Sequence, residues 1–132
     1  THTVFVKKRP GVDHFLAVVA EWFEVVVFTA SLALYANPVM DLLDPNRVVH
    51  ERLYREHCVL IGGCYVKDIA KLGRDLKRTL IIDNSPLSYA LQPENSIPID
   101  GFFTDEADRE LERVLGLLEK AKTLPDVRKF AD

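Results

Sequence analysis

The sequence predicts a single α/β domain, built on an open, mostly parallel sheet with helices on both faces and a small antiparallel β insertion. Three observations predict it. Short β-branched runs alternate with stretches of helical spacing, the pattern of parallel strands joined by helical crossovers. The run Val25, Val26, Val27 is apolar on both faces, as strands buried between helix layers are. The 132 residues are 48% hydrophobic and 28% charged, which suits one compact domain over residues 1–132 with a substantial core.

Taken in order, Val4 to Val6 reads as a first strand, and Pro10 with Gly11 punctuates the chain before Val12, Phe15, Leu16, Val19 and Trp22 recur at helical spacing. Asp13 and His14 then fall in a first helical turn, where an acid suits the helix dipole and His14 is a surface group. Phe23 to Phe28 reads as the next strand, ending at Thr29, Ala30 and Ser31. The whole stretch from Phe15 to Ala36 is greasy, but Glu21 and Glu24 in its middle argue for helix, turn and strand rather than a membrane span. Leu32 to Leu43 predicts a helix that tolerates Pro38 or kinks there and stops at Asp44-Pro45-Asn46. From Val48 to Val66 short β-type pieces surround Gly62-Gly63, a hairpin signal. Thr79 to Ile82 is a buried strand closed by Asp83-Asn84-Ser85-Pro86, Ile97 to Ile99 a brief one, and Asp105 to Lys122 an amphipathic helix with Leu111, Val114, Leu115 and Leu118 on one face.

A net charge of −3, from 17 basic and 20 acidic side chains, argues against a general nucleic-acid binder; any phosphate the protein meets must be held locally. Cys58 and Cys64 match neither a CxxC redox pair nor a zinc half-site and read as reduced thiols.

In open α/β sheets the crevice beyond the carboxyl ends of the strands carries the chemistry, so polar residues that terminate apolar strands deserve scrutiny. Three places qualify: Thr29 with Ser31, Lys67 with Asp68, and Asp83-Asn84-Ser85. Each has a plain alternative. Thr29 or Ser31 could cap the following helix, Lys67 could be a solvated charge, and Asp83 to Pro86 could be only a turn. Together they suit a phosphate site, in which a hydroxyl and N–H groups hold oxygens, a lysine supplies charge, and a carboxylate with an amide carbonyl ligates a hard cation. A receiver domain uses similar groups, but there the phospho-accepting Asp precedes the Thr and the Lys.

Several strings make the pattern specific. RPGVDHFL from Arg9, FEVVVFTASLALYANPVMDLLD from Phe23, YREHCV from Tyr54, YVKDIAKLGRDL from Tyr65 and LIIDNSPLSYALQPENSIPI from Leu80 resemble the FCP/SCP family. These are the polymerase C-terminal-domain phosphatases, with the small phosphatases and Dullard, of the haloacid dehalogenase superfamily. The resemblance implies a haloacid dehalogenase-like α/β fold and a Mg²⁺-dependent protein serine/threonine phosphatase acting through an aspartyl-phosphate. Its substrate would be phosphoserine in an extended tail such as that of RNA polymerase II. It implies that Thr29, helped by the backbone of Ala30 and Ser31, bonds the phosphoryl group, that Lys67 neutralises its charge, and that Asn84 ligates Mg²⁺ with Asp83 beside it. Tyr35 and Arg55 match positions lining the peptide groove; their plain readings are a helix aromatic and a surface salt bridge. The implied partner is a phosphorylated protein and the implied compartment the nucleus, with cytoplasm or nuclear envelope as alternatives.

One departure matters. The family opens with a strand ending in DxDxT, whose first Asp is the nucleophile and whose second is the general acid and base, and these residues contain no such string. Asp13 lies at a helix start and cannot take that role. Because residue 1 is Thr, the expectation is a piece of a longer protein with DxDxT encoded upstream. The alternative is a non-catalytic phosphopeptide-binding or scaffold member of the same fold, as in the mitochondrial import-receptor branch.

Overall fold

The computed structural model describes residues 6–132; of the expected first strand, only Val6 lies within them, outside any strand. Gly11, at φ +83, turns the chain into α1 (Val12–Trp22), which buries Val19. β1 (Val26–Phe28) follows, then α2 (Ala33–Leu43) with Pro38 inside it, then β2 (Glu51–Leu53), which lies parallel to β1. The crossover is the one a parallel pair requires. Asp44 ends α2; its buried carboxylate accepts from the Val48 and Val49 N–H groups at 2.8 and 3.0 Å and turns the chain back toward the sheet.

The Gly62-Gly63 signal becomes an antiparallel hairpin of β3 (Val59–Ile61) and β4 (Cys64–Val66). Both glycines have positive φ, 56° and 81°, as the tight turn matching strand twist demands. β5 (Ile81–Asp83) pairs in parallel with β6 (Ser96–Pro98), and α3 (Glu110–Ala121) packs on α1. The α/β class therefore stands. Among the described residues, though, the strands form three separate pairs, so β1 and β5 each keep an unpaired edge.

Element limits shift for local reasons. The strand expected from Thr79 begins at Ile81, because the Thr79 hydroxyl bonds the Asp75 carbonyl and its own carbonyl is taken by Asn95. The last helix starts at Glu110 rather than Asp105, because the Asp105 and Asp108 side chains accept from the N–H groups two residues on and favour turns.

The main core gathers Val19, Ile97, Val114, Leu118, Ala121, Val127 and Phe130 from α1, β6, α3 and the carboxyl-terminal turn. A smaller cluster, Ile69, Ile81 and Tyr89, lies beside the ends of β4 and β5. By the two-residue strand repeat, Ile81 in that cluster shares a face with Asp83.

Candidate active site

Two strand ends carry the predicted residues. At the end of β1, the Thr29 N–H donates to the Leu53 carbonyl at 3.0 Å, extending the pairing with β2, and the Thr29 hydroxyl accepts from the Ser31 N–H at 3.0 Å. Neither Thr29 nor Ser31 caps α2, whose N-cap is Leu32 without a side-chain bond. With one lone pair so engaged, the Thr29 hydroxyl still has its proton to donate.

At the end of β5, the Asp83 carboxylate is divided between two donors: the Ser85 N–H at 2.9 Å and the Lys67 ammonium. Lys67 is buried, so its solvated-charge alternative does not hold. Asn84, next to Asp83, is exposed, with its amide nitrogen facing Gly101.

Arg55 joins the end of β1 to the hairpin strand β4, and Cys58 lies just before β3 of that hairpin. The Arg55 N–H donates to the Ser31 carbonyl at 3.0 Å and its Nε to the Ala30 carbonyl at 2.8 Å, while its guanidinium lies 5.0 Å from the centre of the Tyr65 ring. Among the described residues it makes no ion pair, so the salt-bridge alternative fails. Burial pushes the Cys58 thiol above its ordinary value, against the pull of Lys67 and then Arg55. No hydrogen bond among the described residues joins Thr29 directly to Lys67 or Asp83.

The candidate residues thus fall into two groups, Thr29, Ala30, Ser31 and Arg55 about the end of β1, and Lys67, Asp83 and Asn84 about the end of β5. A model of NLI interacting factor-like phosphatases matches residues 1–128. The chain belongs to that family. It is 58% identical over 131 residues to a probable C-terminal domain small phosphatase of Dictyostelium discoideum, covering 99% of this chain and 43% of that protein. It is 54% identical over 127 residues to the human carboxy-terminal domain RNA polymerase II polypeptide A small phosphatase 2, covering 96% and 47% of the two. The human small phosphatase 1 of the same description is 51% identical over 126 residues, covering 96% and 48%. The chain spans less than half the length of these relatives.

This NLI interacting factor-like family implies a divalent metal. The described residues do not make a metal site by themselves, since no three His, Cys, Asp or Glu side chains cluster and both Asp83 oxygens already accept hydrogen bonds. Tyr35 is 66% exposed on α2, which rules out a core role and leaves it open to a ligand. Sequence reasoning missed Cys58 and Tyr65. The register Val59 to Val66, extended one step, sets Cys58 opposite Lys67, a relationship that only the hairpin turn reveals. No described helix is long and apolar enough to cross a membrane.

Proposed function

We propose that the protein containing this chain is a protein serine/threonine phosphatase, hydrolysing phosphoserine in an extended peptide such as the RNA polymerase II tail. The observation that carries the reading is the buried Lys67–Asp83 pair, which follows the hairpin strand whose Tyr65 ring lies under the same Arg55 that holds the Ala30 and Ser31 carbonyls after β1. In this reading the Thr29 O–H and the Ala30 N–H donate to phosphoryl oxygens, and Lys67, held on Asp83, offers its remaining N–H groups to them. These donors stand in place before the reaction, so developing charge is met without rearrangement. Arg55, held flat between Ala30 and Tyr65, offers its free N–H groups to the peptide or a second phosphate, and exposed Tyr35 packs against substrate. Mg²⁺ is the divalent ion of this reading, with Asn84 as a ligand and Asp83 beside it; further ligands must come from a DxDxT segment, which also supplies the nucleophile. The unpaired edges of β1 and β5 are compatible with a further strand carrying it. A nuclear compartment follows from the same reading.

Sequencing the codons upstream of Thr1 and assaying an aryl phosphate with Mg²⁺ tests this. An encoded DxDxT, with turnover that Lys67→Ala abolishes, supports the enzyme. A full-length protein without DxDxT and without turnover leaves the phosphopeptide-binding or scaffold reading in its place.

A further inference from the structure

Among the described residues, four of the six buried polar ones lie between Asp83 and the start of β6: Ser88, Gln92, Asn95 and Ser96. Three of them reach back to the chain that carries Lys67. The Ser88 carbonyl accepts the Lys67 N–H at 2.9 Å. Gln92 uses both ends of its amide: Nε2 donates to Asp68 Oδ1 at 2.7 Å, and Oε1 accepts from the Ile69 N–H at 3.3 Å. Asn95 holds the far end through the Leu76 and Thr79 carbonyls.

We propose that Gln92 is a positioning residue for Lys67, clamping the peptide after it to the loop that leaves Asp83 so that the ammonium is aimed at that carboxylate. Two arguments carry this. A lysine stem has four rotatable bonds and, unless its backbone is fixed, carries its charge out to water. Ser88 fixes the N–H of Lys67 itself, and Gln92 fixes the next two residues. The second argument concerns competition. Asp68 is an anion adjacent to Lys67 in the chain, and its Oδ1 is occupied by Gln92 and by the Ala70 N–H at 3.1 Å, which keeps it from drawing the ammonium off Asp83. Only a side chain with a donor and an acceptor does both jobs. A carboxylate at this position would repel Asp68, and an alkyl group would leave the buried Ile69 N–H unpaired. The relevance of this aim to phosphate rests on the phosphatase reading; the clamp itself does not.

The test is chemical acetylation of the full chain, read lysine by lysine by peptide mass spectrometry, with the exposed Lys71 and Lys77 of the same segment as internal references. Lys67 in the wild type is expected to react more slowly than either. Gln92→Leu should raise its rate relative to the references by roughly tenfold or more, tenfold being the scale of losing one hydrogen bond. The equally sized Gln92→Glu should do the same, and the double variant Asp68→Asn/Gln92→Glu, in which amide and carboxylate exchange places, should bring the rate back down. Unchanged Lys67 reactivity in both single variants would overturn the inference. So would a rise that the exchanged pair fails to reverse, since that marks general loosening. Added inorganic phosphate provides a separate reading: protection of wild-type Lys67 supports the phosphatase site. Its absence counts against that site alone, leaving the dependence of Lys67 on Gln92 to stand or fall by the variants.

Discussion

Lys67 and Asp83 meet as an ion pair whose side chains are 10% and 9% exposed, at the point where the hairpin strand β4 and the core strand β5 both end. Removing one partner from such a pair strands a charge in low dielectric, whereas removing both costs far less. Lys67→Ala is therefore expected to lower unfolding stability by about 3 kcal/mol. The double replacement Lys67→Met/Asp83→Leu should lose much less. Urea denaturation followed by circular dichroism measures both, and equal losses would show that the pair is not buried as described.

Asn95 is fully buried and donates to the Leu76 and Thr79 carbonyls at 2.7 and 2.9 Å, while its Oδ1 has no partner. Asn95→Ala removes both bonds, leaving the Leu76 carbonyl only its longer bond from the Thr79 N–H and the Thr79 carbonyl without the Asn95 donor, a loss of about 2 kcal/mol. Asn95→Asp turns a donor into a second acceptor facing those carbonyls and should be worse. Denaturation midpoints of the two variants order them.

Acid sensitivity follows from two arginine clamps. Arg9 binds Asp108 through both carboxylate oxygens at 3.0 and 2.9 Å and holds that carboxyl below its usual range. Arg128 does the same to Asp126, lowering it to about 2. A carboxyl lowered by folding contributes stability above its unfolded value, near 3.8, and loses it as pH falls through the folded value. Arg9→Ala and Arg128→Ala should therefore melt below the wild type at neutral pH. The gap should narrow as pH drops from about 4 toward 2. A gap constant across that range would refute the assignment.

Gly63 holds φ at +81° in the turn that sets the register of β3 and β4, and so the position of Lys67 just after β4. Gly63→Ala should cost about 1 kcal/mol through the left-handed backbone alone, since a Cβ there meets no atom within 4 Å. Amide exchange at Tyr65 and Val66 should speed up more than exchange in α3.

Much of this was legible beforehand, because local chemistry wrote it. α1 runs from Val12 to Trp22, as its apolar spacing requires, and the Gly62-Gly63 pair makes the hairpin. The polar residues expected to close apolar strands do follow or end β1 and β5. What stayed hidden depends on partners distant in sequence. Glu51–Leu53 has no apolar alternation, yet it pairs with β1 because the buried Asp44 carboxylate turns the chain toward it. Gln92, in a polar stretch, shows its role only through Asp68 and Ile69 across the loop. Tyr65 reads as a strand aromatic until Arg55 is found over its ring.

Everything functional depends on the two strand ends serving one anion. A crystal structure of the chain soaked with tungstate, a tetrahedral phosphate mimic, tests that most directly. The expected result is a single anion within hydrogen-bond distance of the Lys67 ammonium on one side and the Thr29 hydroxyl or Ala30 N–H on the other. An anion bound to one end only, or to neither, would contradict it.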